Sequence, residues 1–343
     1  MEEEYRILEN SVKDFNSKYL DNIVLKIEKE GIPEQVRKAM LEQGFLGMVQ
    51  LLDGNKVMDK KALSIIIEVL STSSPSVAME VFLTNVLFNK LADEESMNEV
   101  SQGIKRGTVA FAELMSGYDN ENELHMEGEK LIGTKKYVLN SDADLIIASA
   151  TDGNLYIIKS GFKEIETHRK LGFRGLKFGK VEFNTKDYVK IGTKEDLVKA
   201  YEEAHPFITA LAIGIAEGSL MKAIEYSKVR SAFGNLLKDF QPIAFPISMQ
   251  YNELSMLKNS LYLALSNESE TADILFLKMK SIELAKEITK NSIQVHGGYG
   301  YIEDYGVEKF YRDIMSLSVL LYNEEEEKKK LASKLYETEA GYV

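Results

Sequence analysis

The sequence predicts an α+β protein in which helical and β segments are segregated along the chain. Apolar residues recur at helical spacing up to about residue 105, and short β-rich runs follow up to about residue 195. Long helical patterns then return and continue to the C-terminal region. Because this segregation is typical of α+β folds, we expect a helical domain over 1–106, a β domain over 107–195 and a helical bundle over 196–343.

The first domain is predicted to be helical throughout. Ile7, Val12 and Phe15 have the spacing of one helix face, and residues 61–91 repeat that spacing with an interruption near Ser74 and Pro75.

The middle domain contains short runs of β-branched and aromatic residues. Clusters of Gly, Asn and Asp separate them, which predicts strands joined by turns. The predicted strands are Thr108–Phe111, Tyr137–Leu139, Leu145–Ala148, Leu155–Ile158 and Lys180–Phe183. Several short strands of this kind favour a β-barrel or a β-sandwich.

The last domain contains long helical patterns joined by short connections, which predicts a four-helix bundle. The predicted helices are Pro206–Arg230, Gln241–Ser266, Glu270–Gln294 and Asp313–Tyr336.

Composition excludes several functional classes. The 343 residues carry a formal net charge of −12, which argues against a nucleic-acid surface. Without cysteine the chain has no disulfide or thiolate ligand, and its four histidines do not cluster, so we expect no metal site. The N-terminal residues lack the apolar stretch of a signal peptide, and we expect a cytoplasmic protein without a membrane span.

Two motifs carry chemistry. QVHGGYGY (Gln294–Tyr301) contains three glycines, which permit positive φ or close approach to another surface, although a helix end would also explain them. RSAFG (Arg230–Gly234) places an arginine after a long helix, where it is either an ordinary surface residue or a ligand for phosphate oxygens.

The two motifs resemble those of the acyl-CoA dehydrogenases. With them, the chain resembles this family over almost its whole length. The resemblance implies that family's fold, non-covalent FAD as cofactor, an acyl-CoA substrate and a homo- or hetero-tetramer. It also implies FAD contacts in the helical bundle at Arg230, Phe233, Gln241, Gln294, Gly297 and Gly298.

The β domain resembles the family less closely at the flavin. Tyr137, Leu139 and Ala112 occupy the positions of cofactor-binding residues, but Tyr137 replaces a tryptophan. Leu139 and Ala112 replace threonines that donate hydrogen bonds to the flavin. Because each such bond is worth about 1 kcal/mol net, we expect weakened flavin binding rather than its loss.

The family reaction needs a carboxylate that removes the α proton of the thioester. The two positions that hold it in the family correspond here to Leu321 and Ala204. Glu324 and His205 are the candidates for a substitute base, and the backbone N–H of Leu321 is a candidate donor to the thioester carbonyl.

The resemblance therefore implies α,β-desaturation of a CoA thioester in fatty acid metabolism, with electrons passed to an electron-transfer flavoprotein. Two alternatives remain open. The chain is either a catalytically silent FAD-binding subunit of a hetero-oligomer, or a flavoprotein with other chemistry such as oxygen activation.

Overall fold

The structure is a computed structural model that describes residues 3–111, 123–267 and 271–339. The chain forms two compact units. The bundle unit comprises Met1–Leu25, Lys60–Pro75 and His205–Val343. The sheet unit comprises Lys26–Asp59 and Ser76–Ala204. The division into three domains, with boundaries near residues 106 and 195, remains a prediction.

The described residues contain both long and short helices. The α-helices are α1 (Glu3–Tyr19), α2 (Val24–Glu30), α3 (Glu34–Glu42), α4 (Lys60–Ser73), α5 (Pro75–Phe82), α6 (Glu94–Ser101), α7 (Lys194–Glu203), α8 (His205–Val229), α9 (Gln241–Ser266), α10 (Thr271–His296), α11 (Glu308–Leu320) and α12 (Glu324–Glu339).

The strands of the described residues are shorter. They are β1 (Gln50–Leu52), β2 (Asn55–Val57), β3 (Gly107–Ala110), β4 (His125–Glu127), β5 (Lys130–Leu139), β6 (Leu145–Ser149), β7 (Asn154–Ile158), β8 (Phe162–Thr167), β9 (Phe178–Thr185), β10 (Tyr188–Thr193), β11 (Ser231–Ala232) and β12 (Asn235–Leu236).

Helix α8 is the centre of the bundle unit and packs against α4, α9, α10 and α11. Two glycines allow α4 to approach it closely. A Cβ atom added to Gly214 would lie 2.1 Å from the carbonyl oxygen of Glu68, and one added to Gly218 would lie 2.3 Å from the carbonyl oxygen of Thr72. By length and composition α8 is apolar enough to cross a membrane, but 78% of its apolar window is buried within the protein, as in a core helix.

A buried ionic contact joins α4 to α9. The Glu68 carboxylate is 1% exposed, forms an ion pair with Lys258 and accepts a hydrogen bond from the Tyr262 hydroxyl at 2.6 Å. Burial raises the pKa of Glu68, and the neighbouring Lys258 opposes that shift. The contact fixes the lateral position of α9 on the bundle.

The predicted helical bundle is confirmed, with one difference in its last helix. Helices α8, α9 and α10 match the predicted segments closely, but the predicted helix Asp313–Tyr336 is divided into α11 and α12 at residues 321–323. Leu321 and Tyr322 are buried there, and the Asn323 side chain accepts the Glu326 N–H at 3.3 Å, which begins a new helix.

The sheet unit contains two four-stranded sheets with strand orders β10-β7-β6-β3 and β4-β5-β9-β8. Only β3 and β6 are paired in parallel among these strands. One apolar cluster draws residues from both sheets, including Ile146, Ile158, Val181 and Phe183. The described strands therefore form a sandwich around a shared core and do not close into a barrel, so the sandwich alternative is correct.

The N-terminal segment of the sheet unit departs from the all-helical prediction. Strands β1 and β2 form a hairpin around Asp53 and Gly54, which both have positive φ. A π-helical segment at Leu83–Asn89 holds residues 45–48, because the Asn85 and Asn89 amides donate to the carbonyl oxygens of Phe45 and Leu46.

Candidate cofactor and catalytic site

The RSAFG motif forms a tight hairpin after α8. Strands β11 and β12 pair around Phe233 and Gly234, whose φ angles are 52° and 83°. Such a turn is strained for phenylalanine, yet the Phe233 side chain is 96% exposed and has almost no packing to stabilise it. An exposed aromatic side chain in a strained turn indicates a contact with another molecule.

The GGYG motif forms a 3-10 turn at the end of α10. Gly297 has a φ of 57°, and a Cβ atom at Gly297 or Gly298 would meet nothing within 4 Å. Gly300 is different, because its Cβ would lie 2.4 Å from the Ile293 carbonyl oxygen. Gly300 therefore serves the fold, whereas Gly297 and Gly298 present open backbone to a ligand.

The structure brings these two motifs together in the bundle unit. The Arg230 guanidinium carbon lies 5.9 Å from the centroid of the Tyr299 ring. The preceding helical turns are also joined, because the rings of Tyr226 and His296 stack at 4.3 Å. Gln241 and Gln294, predicted with Arg230 as FAD contacts, are exposed near the ends of their helices.

The predicted residues of the sheet unit are less suited to flavin. Tyr137 is 37% exposed, and its ring lies 6.1 Å from Phe178 and 5.8 Å from His168. Leu139 is buried, and its carbonyl oxygen accepts a hydrogen bond from the Thr108 hydroxyl at 2.6 Å. Ala112 lies outside the described residues.

The first base position carries no base in this chain. Leu321 is fully buried at the end of α11, and its N–H donates to the Leu317 carbonyl oxygen at 2.9 Å. The expectation that this N–H polarises a thioester carbonyl is therefore wrong for this conformation, because the helix already uses the donor. Ala204, at the second base position, is also fully buried and ends α7.

His205 is a poor base in this structure. Its side chain is almost completely buried, and burial lowers the pKa to about 2, assisted by the positive charges of Lys278, Lys330 and Lys334. The imidazole is therefore neutral at physiological pH and has little affinity for a proton.

Glu324 is also an unsuitable base. It is the first residue of α12, and its side chain is 52% exposed and paired with Lys328. The hydrogen bond from Lys328 lowers the pKa of Glu324. An exposed carboxylate held by its own helix has the environment of a solvated surface group.

A buried polar cluster lies beside the empty base position, and the sequence analysis missed it. Lys278 on α10 is fully buried and forms an ion pair with Glu327 on α12. Burial lowers the pKa of Lys278 to about 8, although Glu327 opposes the shift. The Tyr322 ring lies 5.9 Å from the Lys278 ammonium and 5.6 Å from that of Lys286. The lysine and glutamate are 49 residues apart, and no local pattern connects them.

The residues of the bundle unit fit FAD. An exposed arginine beside an aromatic ring suits a pyrophosphate, and two glycines with open space above them permit close approach of the cofactor. In the sheet unit, taken by itself, the Tyr137 ring lies beside Phe178, and Leu139 has no hydroxyl donor.

Comparison with known proteins agrees with these motifs. The N-terminal domain model of the acyl-CoA dehydrogenases matches residues 2–100, and their C-terminal domain model matches residues 199–324. A 3-(aryl)acrylate reductase of Clostridium sporogenes is 25% identical, covering 97% of this chain and 98% of that protein. The caffeyl-CoA reductase–Etf complex subunit CarC of Acetobacterium woodii is 39% identical over 31% of this chain and 29% of its own length.

The fold agrees as well. Butyryl-CoA dehydrogenase from Megasphaera elsdenii superposes with a TM-score of 0.86 at 22% identity, covering 98% of this chain and 99% of that one. Matching domain models at both ends, similar relatives along the full length and the shared fold lead to one conclusion. The chain belongs to the acyl-CoA dehydrogenase family.

Proposed function

We propose that this chain binds FAD non-covalently and acts as an oxidoreductase on the α,β carbon atoms of a CoA thioester. The observation that carries the proposal is the exposed surface in the bundle unit where Arg230 lies over Tyr299, beside the open backbone of Gly297 and Gly298. This surface offers a cation, an aromatic ring and an uncrowded stretch of backbone to one ligand.

Each predicted contact has a distinct role. Arg230 neutralises pyrophosphate oxygens, and the glycines let the cofactor approach the backbone. In the bundle unit, Phe233 would supply aromatic surface, and Gln241 and Gln294 would supply hydrogen bonds. In the sheet unit, Tyr137 stays a separate predicted contact. A bound flavin would supply hydride exchange with the β carbon of the substrate. An electron-transfer flavoprotein would be the redox partner, as in the reductase–Etf complex to which the Acetobacterium relative belongs.

Proton transfer at the α carbon is the weak step of this chain. Leu321 and Ala204 are apolar and buried, and the imidazole of His205 scarcely accepts a proton. We therefore expect slow proton removal from a saturated thioester. Two relatives are named as reductases of unsaturated substrates, so activity has to be measured in both directions.

A tetramer of the family type and a cytoplasmic role in fatty acid metabolism are part of the same proposal. Helix α9 supports an oligomer because exposed apolar residues recur along it at spacings of four and seven. These residues are Phe245, Met249, Met256 and Leu263. A stripe of that kind is suited to a helix of a second subunit.

A second candidate is a catalytically silent FAD-binding subunit, and the two buried apolar residues at the base positions favour it. Two anaerobic assays distinguish the enzyme from the silent subunit. In the first, saturated acyl-CoAs are mixed with the FAD-loaded chain; in the second, enoyl-CoAs are mixed with the same protein after chemical reduction. Bleaching by the first or reoxidation by the second supports the enzyme. A flavin that responds to neither contradicts it and leaves the silent subunit or other flavin chemistry.

A further inference from the structure

The sheet unit contains a pocket of about 640 Å³, and none of the predicted site residues that the structure describes lines it. Its walls come from the end of α2, the segment that follows, and the loop between β8 and β9. Its volume lies within the range of small-molecule sites. The pocket therefore requires an explanation separate from the flavin surface of the bundle unit.

The lining is strongly basic although the chain has a net charge of −12. Three acidic residues line the pocket, together with a larger set of basic ones: Lys29, Arg37, Arg169, Lys170, Arg174 and Lys177. Two of the acids pair with cations outside the lining, because Glu30 pairs with Lys26 at 3.6 Å and Asp142 pairs with Arg106 at 3.3 Å. Within the lining, Asp142 also pairs with Lys177 at 3.7 Å, and Arg37 pairs with Glu80 outside it at 2.8 Å, which leaves most of the basic residues in excess. The pocket therefore keeps an excess of positive charge.

The wall is fixed by hydrogen bonds that involve the basic side chains themselves. The Arg37 guanidinium donates to Glu80 at 2.8 Å and to the Ile32 carbonyl oxygen at 2.9 Å. Lys170 donates to the Leu176 carbonyl oxygen, and Arg174 donates to that of Leu171 at 3.2 Å. These contacts fix the basic side chains of the wall, whereas Lys29 and Arg169 are exposed at the pocket.

Two glycines shape the wall and bring its segments together. The Ile32 N–H donates to the Gly175 carbonyl oxygen at 3.2 Å, and Gly31 has a φ of 90°. A Cβ atom at Gly175 would lie 2.6 Å from Ile27, so only glycine allows this approach. Aromatic surface completes the lining, because the rings of His168 and Phe178 meet at 5.8 Å.

We propose that this pocket binds a phosphate-bearing small anion of nucleotide size. Lys29 and Arg169 are exposed at the pocket and supply charge to phosphate oxygens, and His168 and Phe178 supply a surface for a flat ring. The concave shape favours a small anion over an extended polyanion. The ligand is either a free nucleotide or the nucleotide end of a CoA molecule.

Isothermal titration calorimetry of the full chain with ADP, CoA and inorganic phosphate tests the proposal. The test variant is Lys29→Gln with Arg169→Gln. The matched control is Lys163→Gln with Lys186→Gln, which removes the same charge from two exposed lysines of the sheet unit that lie outside this pocket. We expect ADP or CoA affinity to fall at least about tenfold in the test variant and to stay unchanged in the control.

The arms separate the two sources, because CoA has the ADP group plus a 3′-phosphate and a pantetheine arm. CoA binding at least about tenfold tighter than ADP indicates the nucleotide end of CoA, and ADP binding as tight as CoA or tighter indicates a free nucleotide. Absence of binding by all three anions overturns the proposal, as does equal binding by the test and control variants. Circular dichroism of each variant shows whether it is folded. ADP is part of FAD and CoA is part of the proposed substrate, so only the affinity that the Lys29→Gln with Arg169→Gln variant loses is assigned to this pocket. That loss is measured without flavin, so its failure is distinguishable from a failure of flavin binding.

Discussion

Gly298 and Gly300 are separated by one residue, yet the structure assigns them to different roles that substitution can separate. An alanine Cβ at Gly300 would lie 2.4 Å from the Ile293 carbonyl oxygen, which is backbone and yields only if the end of α10 shifts. Overpacking of this kind typically costs 1–3 kcal/mol, and we expect about 3 kcal/mol here because backbone atoms are involved.

Gly298→Ala meets open space and needs no positive φ, so its effect on the free energy of unfolding should stay within about 1 kcal/mol. The added methyl group stands on the surface proposed to face the cofactor, and FAD affinity should therefore fall about tenfold or more. Gly300→Ala provides the matched control, since its main effect is on stability.

Urea denaturation followed by far-UV circular dichroism measures the first quantity for both variants, and quenching of FAD fluorescence on titration measures the second. The reasoning is refuted if Gly298→Ala destabilises the chain as much as Gly300→Ala, or if it folds normally and binds FAD as tightly as the original chain.

Three further predictions follow from the residues around the base position. Burial keeps the His205 imidazole neutral in the folded chain, where its pKa is lowered to about 2. In the unfolded chain the imidazole binds a proton below about pH 6.5. This residue should therefore lower the free energy of unfolding by up to about 1.4 kcal/mol for each unit that the pH falls. Urea denaturation between about pH 7 and 5 measures this dependence, and the free energy of unfolding should depend less steeply on pH in His205→Asn than in the original chain. The same pH dependence in both would contradict the assignment. Leu321→Glu should raise the rate of anaerobic flavin reduction by saturated acyl-CoA by a factor of about 10² to 10⁴, measured by stopped-flow absorbance. An unchanged rate in a folded, FAD-loaded variant would argue that proton removal is not the slow step. Glu327→Gln removes the carboxylate that pairs with buried Lys278 and should lower the free energy of unfolding, measured by urea denaturation, by about 3–5 kcal/mol. The double variant Lys278→Met with Glu327→Met should recover most of that loss. Additive losses would show that the pair is not coupled.

The helices and the central strands were predictable because their apolar residues follow a clear period. The division at residues 321–323 had a readable signal in Asn323 followed by Glu326, the pattern of a helix start, but the charged residues after it favoured one continuous helix. The hairpin of β1 and β2 also had a signal, since Asp53-Gly54 is a typical two-residue turn.

Strands β4, β8 and β10 were not predicted because each is largely exposed or half-buried and lacks an apolar run. The burial of β8, for example, alternates only weakly over Phe162–Thr167. Long-range chemistry was also out of reach. The Lys278–Glu327 pair and the basic pocket depend on residues that the fold brings together from distant segments, and the pattern of a single sequence does not connect them.

Among the candidate site residues, the sequence identified the two motifs that the structure brings together and the apolar residues at the two family base positions, and their roles stay predictions. It did not show that His205 is too deeply buried to act as a base or that the Leu321 N–H is already used by α11. Both facts depend on packing, because the same residue types serve as bases or donors when they face a substrate.

The central claim is that this chain holds FAD on the surface formed by Arg230, Tyr299 and the two glycines. The direct measurement is the absorbance spectrum of the purified chain with and without added FAD, after removal of free cofactor, compared with that of Arg230→Gln. We expect the spectrum of bound flavin, with a fixed ratio of flavin to protein. The Arg230→Gln variant should remain folded and lose most of the bound flavin. A folded chain that retains no flavin, or an Arg230→Gln variant that retains it fully, would contradict the account.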